Sequence, residues 1–166
     1  LLARIADTVM EAFPATFSAS AGALLTGNPV RVEISALPLK QENESKDPLK
    51  ILIIGGSLGA VAINDLIPQA LLNFTAQERP QVWHQVGKNN VDSAAQRYRD
   101  AGITLDENCR VVPFIADMAA AYGWADLVLC RAGATTVSEV AAAGLPSILV
   151  PFPYAVDDHQ TRNAQW

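Results

Sequence analysis

From Lys50 onward, short apolar runs alternate with longer stretches in which apolar positions recur every three or four residues. That alternation is the pattern of βαβ units around a parallel sheet. The runs at 51–54, 82–86, 110–113, 127–130 and 147–151 are nearly continuous in apolar residues, as expected of strands covered on both faces. Helices are predicted at 58–72, 91–101, 117–124, 136–143 and from 158 onward. Right-handed crossovers bring all the strand carboxyl ends to one edge, where doubly wound sheets bind ligands. Every predicted strand exit there carries small or polar residues: Gly55-Gly56-Ser57, Gly87-Lys88, Phe114-Ile115-Ala116-Asp117, Arg131-Ala132-Gly133 and the stretch 152–160.

The first fifty residues follow another pattern. Residues 1–10 read as an amphipathic helix on Leu1, Leu2, Ile5, Ala6, Val9 and Met10, and 30–34 as a short strand after the break at Gly27-Asn28-Pro29. Residues 41–47 are polar and charged, which makes them a solvated loop or linker. The reading assigns 1–27 to the tail of a preceding domain and 28–166 to the sheet domain. The sequence opens inside an apolar pattern and closes at Trp166 inside a helical one, so it reads as an internal piece of a longer protein.

Composition narrows the field. Half of the 166 residues are hydrophobic, enough for one sizeable core. A formal charge of -5 and a pI near 4.9 argue against nucleic acid as a partner. The longest apolar runs have strand length, so none is a membrane span. Cys109 and Cys130 fit no metal spacing and suit a reducing compartment.

Residues 130–146 carry the most chemistry. They leave an apolar strand, turn through Gly133 and enter a helix whose first turn offers backbone N–H groups, hydroxyls and one carboxylate. A helix N-terminus attracts phosphate because its first N–H groups are unpaired and the macrodipole is positive there. A carboxylate one turn further in suits a ribose diol. Glu139 also has a plainer reading: Thr136-x-x-Glu139 is a capping box, with the carboxylate bonding back to the Thr136 N–H, and on pattern alone this is the stronger of the two. The loop Gly55-Gly56-Ser57-Leu58-Gly59-Ala60 is either a phosphate loop or a tight turn with Ser57 as helix cap. It matches neither the G-x-G-x-x-G fingerprint nor a Walker loop, which weighs against a dinucleotide-binding oxidoreductase.

Arg131 could neutralise a diphosphate or pair with Asp126 or Glu139, with the ion pair slightly favoured. Arg31 lies where the lead-in meets the sheet domain, where a guanidinium suits diphosphate. His84 reads as a satisfied sheet residue, and His159, near no Ser or Cys nucleophile, as a helix-start residue. Gln160 is a neutral amide able to bond sugar hydroxyls, and Asp157 or Asp158 reads as a helix cap.

The ordered set Gly27-Asn28-Pro29-Val30-Arg31, Gly55-Gly56-Ser57-Leu58-Gly59-Ala60, Trp83-His84-Gln85, 114–119, 131–139, Gly144-Leu145-Pro146 and 151–164 resembles the MurG family. These are the bacterial transferases that add N-acetylglucosamine to lipid I to give lipid II. The resemblance implies a GT-B fold, of which this chain would form the Rossmann-like, doubly wound, C-terminal donor domain without its final helices. It implies that the Ile115 backbone meets uracil and that Glu139 holds the ribose hydroxyls. Ser57, Arg31 and the segment Ala134, Thr135, Thr136, Val137 and Ser138 would surround the diphosphate, and Gln160 would read the sugar. The donor is then UDP-GlcNAc, used with inversion, with no cofactor, no metal and no catalytic residue in this stretch. The acceptor, lipid I, and peripheral contact with the cytoplasmic face of the inner membrane fall to the N-terminal domain. Alternatives are another GT-B enzyme, such as a glycolipid glycosyltransferase or a UDP-GlcNAc 2-epimerase, and a non-catalytic nucleotide-binding module.

Overall fold

The computed structural model describes residues 3, 5–14, 16–40, 47–56, 59–155 and 158–166. A small parallel pair, β1 (Met10–Glu11) and β2 (Leu24–Leu25), precedes a short helix α1 (Val32–Ser35). Five strands follow, β3 (Lys50–Ile54), β4 (Gln81–Gln85), β5 (Cys109–Val112), β6 (Leu127–Cys130) and β7 (Ser147–Leu149). Between and after them run α2 (Val61–Leu71), α3 (Val91–Asp100), α4 (Met118–Trp124), α5 (Ala134–Ala142) and α6 (His159–Gln165).

The five strands form one sheet in the order β5-β4-β3-β6-β7, parallel throughout. Counted within the sheet domain this is 3-2-1-4-5, the order of a doubly wound nucleotide-binding fold. The order reverses between β3 and β6. Chain direction is shared, so the loops leaving these two strands diverge to opposite faces and open a crevice at their carboxyl ends.

Strand periodicity divides the core between the two faces. Leu52, Ile54, Val128 and Cys130 pack with Ile34, Tyr122 and Val140 on one side. Ile53 and Val82 pack with Ile63, Ile67 and Tyr98 on the other. His84 is fully buried in the sheet, with Nδ1 2.9 Å from the Tyr98 hydroxyl. Burial depresses its pKa to about 3, so it is a neutral core residue.

The sheet-domain elements fall where the hydrophobic pattern puts them; the lead-in does not. The described part of 1–10 forms no α-helix and ends in the first residue of β1. Ile5 and Met10 are 80% and 61% exposed, so the amphipathic pattern has no surface to pack on, and a short helix without packing is marginal. The strand expected at 30–34 is instead the region of α1. Val30, Ile34 and Leu37 share one helical face and meet the core, whereas Val32 is 70% exposed. The helix after β3 begins at Val61 rather than at 58, with Ala60 in the N-cap position. Phe13 from the lead-in lies in a small cluster with Ala132 and Val137, its ring centroid 4.9 Å from that of Trp166.

Candidate functional site

The crevice between the β3 and β6 exits holds a cavity of about 830 Å³. Gly55, Gly56, Gly59, Arg131, Gly133, Thr136, Phe152, Tyr154 and Gln160 are among its lining residues. Two glycines here have different jobs. Gly59 (φ 78°) lies so close to the Val86 carbonyl and the Asn90 amide that no Cβ would fit, so it lets α2 dock on the sheet. Gly56 (φ 84°) has open space where a Cβ would stand, so its backbone is left bare towards the cavity.

The N-terminus of α5 faces this space. Gly133 is its N-cap and supplies no capping side chain. The first intrahelical bond runs from Val137 N–H to Gly133 C=O, 3.0 Å. The N–H groups of Ala134, Thr135 and Thr136 therefore have no partner within the helix, which is the condition for holding an anion. Thr136 also lines the cavity. Val137 instead turns into the Phe13 cluster, and the Ser138 hydroxyl donates to Ala134 C=O at 2.9 Å, inside its own helix. Ser57 lies outside the described residues.

On the far wall, Gln160 accepts a hydrogen bond from the Phe152 N–H through Oε1 at 2.9 Å, which turns its NH2 end towards other partners. Arg131 braces this wall. Its Nη1 donates to the carbonyls of Val150 (3.2 Å) and Pro151 (3.0 Å), and its guanidinium stacks 5.4 Å from the Phe152 ring centre. The ion pair expected of Arg131 is thus replaced by carbonyl contacts, while Asp126 pairs with Lys40 at 2.8 Å. His159 is exposed at the start of α6, and Asp158 occupies the N-cap position, its carboxylate accepting from the Thr161 hydroxyl.

Glu139 overturns the capping-box reading. Because α5 starts at Ala134, Thr136 is already its third residue and has no cap to close. The carboxylate points elsewhere: Oε1 accepts from Arg31 Nη2 at 2.8 Å and Nε at 3.2 Å, and Oε2 accepts from the Tyr122 hydroxyl at 3.1 Å. Glu139 is 7% exposed, while the Arg31 side chain is 51% exposed. Burial, then the charge of Glu139 and its hydrogen bond, push the Tyr122 hydroxyl far above its ordinary pKa, so Tyr122 is a fixed donor.

Ile115 is buried just beyond β5, and its N–H donates to Gln85 Oε1 at 2.9 Å. The structure therefore groups the expected site residues in two sets. Thr136 and Gln160 lie on the cavity at the N-terminus of α5. Arg31 and Glu139 form a pair, and Ile115 sits beyond the exit of the edge strand β5; these three are not among the cavity-lining residues. The sequence reading gave no role to Gln85, Tyr122, Phe152 or Tyr154. A glutamine at the carboxyl end of a buried strand is a visible signal; Tyr122, inside an apolar helical pattern, offers none. Among the described residues, no three His, Cys, Asp or Glu side chains gather closely enough to hold a metal ion.

Comparison with known proteins agrees with this architecture. The sequence profile of the glycosyltransferase family 28 C-terminal domain matches residues 50–166. The chain is 55% identical over 166 residues to the UDP-N-acetylglucosamine--N-acetylmuramyl-(pentapeptide) pyrophosphoryl-undecaprenol N-acetylglucosamine transferase of Ectopseudomonas mendocina (strain ymp), covering 100% of the chain and 45% of that relative. It is 53% identical over 165 residues to the protein of the same name in Shewanella sp. (strain MR-4), covering 99% of the chain and again 45% of the relative. The crystal structure of Acinetobacter baumannii MurG superposes with a TM-score of 0.74 at 46% identity, over 99% of this chain and 45% of that one. The chain thus spans a little under half the length of these relatives. With residues 50–166 matched and the parallel sheet in place, the chain belongs to glycosyltransferase family 28, in the region of that family's C-terminal domain.

Proposed function

We propose that this chain forms the donor-binding part of an inverting glycosyltransferase that moves N-acetylglucosamine from UDP-GlcNAc to the MurNAc 4-hydroxyl of lipid I, giving lipid II. One observation carries the reading. The cavity at the reversal of strand order brings the uncapped N-terminus of α5 together with Gly56 and Gln160, in a chain 55% identical to a transferase of that name. In this reading the first-turn N–H groups of α5 receive the diphosphate, and their dipoles stabilise the charge that grows as UDP leaves. Gln160 bonds the sugar hydroxyls, and the Ile115 backbone meets the base. Glu139 accepts the ribose hydroxyls, and Arg31, half in solvent, swings from Glu139 to the diphosphate as donor enters.

The same reading gives residues 1–27 to the tail of an N-terminal domain and 28–166 to the donor domain. It assigns lipid I, the general base and peripheral contact with the cytoplasmic face of the inner membrane to that N-terminal domain. Among the described residues no helix is long and apolar enough to cross a membrane, which is compatible with peripheral attachment. The product would serve cell-wall biogenesis and, through it, cell shape and division. Calorimetric titration of the chain with UDP-GlcNAc, UDP-glucose and NAD tests the donor assignment. UDP-GlcNAc should bind tightest, and tighter binding of NAD overturns the reading.

A further inference from the structure

Tyr122 lies on α4 with its side chain 1% exposed, packed in the core cluster that holds Ile34 and Val140. Its hydroxyl donates to Glu139 Oε2 at 3.1 Å. Arg31 comes to the same carboxylate in an uncommon way. A guanidinium and a carboxylate frequently meet fork to fork, one nitrogen on each oxygen. Here Nη2 (2.8 Å) and Nε (3.2 Å) both donate to Oε1, and Oε2 is left to the tyrosine.

The difference matters for what the carboxylate can still accept. Each carboxylate oxygen has two lone-pair sites. Arg31 takes both on Oε1 and Tyr122 takes one on Oε2, so once Arg31 moves to the diphosphate each oxygen has room for a hydroxyl. A ribose diol needs that arrangement, with one donor on each oxygen. The carboxylate torsion is broad and roughly two-fold, so it is set by its hydrogen bonds. Without the tyrosine hydroxyl the group is free to turn both oxygens to the arginine fork, the stronger form of the ion pair.

We infer that Tyr122 is a positioning residue for ribose recognition, which keeps Glu139 Oε2 out of the Arg31 fork and so presents both carboxylate oxygens to the ribose diol. This rests on the proposed donor site, in which Glu139 accepts the ribose hydroxyls. A tyrosine that served stability alone would, on removal, weaken nucleotides with and without the 2′-hydroxyl alike; the inference requires the ratio between them to change.

The test is calorimetric titration of the chain with UDP and with 2′-deoxy-UDP, in the wild type, Tyr122→Phe and Arg31→Ala, with thermal unfolding of each. The wild type should prefer UDP by about tenfold or more, because a site built for a hydroxyl penalises the analogue that lacks it. Tyr122→Phe, which removes one oxygen and keeps the ring, should lose most of that preference. Arg31→Ala should weaken both nucleotides by the same factor and keep the preference, because Tyr122 still orients the carboxylate. A Tyr122→Phe variant with a lower Tm and an unchanged ratio overturns the inference. If Tyr122→Phe does not fold, Arg31→Ala decides: a retained preference supports the inference, and a lost one overturns it by making Arg31 the orienting group. A wild type that binds both nucleotides equally removes the ribose role of Glu139 and this inference with it.

Discussion

The side chain that departs furthest from its local pattern is Glu139. Three residues after a threonine near a helix start, it has the spacing of a cap, yet it lies 2.8 Å from an arginine 108 positions earlier. Local propensity is a small effect, and a buried carboxylate that meets a guanidinium and a tyrosine hydroxyl gains more there. Glu139→Gln should therefore do two things. It should lower stability by about 1–2 kcal/mol, a few degrees in Tm, because the Arg31 contact loses its charge. It should also weaken UDP binding about tenfold or more; unchanged UDP affinity with lower Tm would reduce Glu139 to a structural role. His84 makes a second prediction. Its pKa is about 3 in the folded state and ordinary, near 6.5, in the unfolded chain. The unfolded state thus binds the extra proton between those values, and stability falls as pH drops through 6.5 towards 3. The slope from this one group is at most about 1.4 kcal/mol per pH unit, and His84→Gln should flatten it in urea titrations between pH 6 and 4.

At the level of elements, the hydrophobic period was enough where a segment had a sheet to pack against. The five strands, α3 and α4 could be read because their apolar positions repeat at the period of the structure they form. The ends of α2 and α5 could not, because the backbone enters each helix through glycines and contacts distant in sequence. Gly59 shows why: its φ of 78° and its contact with the Val86 carbonyl are set by β4, almost thirty residues on. Gly59→Ala forces a Cβ onto that carbonyl at a positive φ, and should cost at least about 2–3 kcal/mol, seen as a lower urea midpoint. The α1 segment misleads for the opposite reason. Val30, Val32 and Ile34 alternate like a strand, but the segment packs against α4 and α5, and the helical spacing of Val30, Ile34 and Leu37 prevails.

Across the whole molecule, the doubly wound parallel sheet and the edge that carries the site were legible from the alternation of elements and the polar strand exits, whereas the strand order came from the structure. What was not legible was the division of the expected contacts into a cavity at α5 and an Arg31–Glu139 pair beside it, which depends on packing between the lead-in and the sheet domain. The proposed acceptor half lies outside these residues, so the chain by itself should bind UDP-GlcNAc yet make no lipid II in a radiolabel transfer assay; measurable product would refute that division of labour. The strand order also bears on how the chain acquires its shape. β3 pairs with β4 across a connection of some 26 residues, but with β6 only across more than 70. Closing the longer loop costs more entropy, so β3, β4 and β5 can assemble first and β6 and β7 join later. The ligand crevice is the seam between those two batches. On refolding from denaturant, far-UV circular dichroism should recover ahead of nucleotide binding, which makes a bound nucleotide a reporter of the last step of folding.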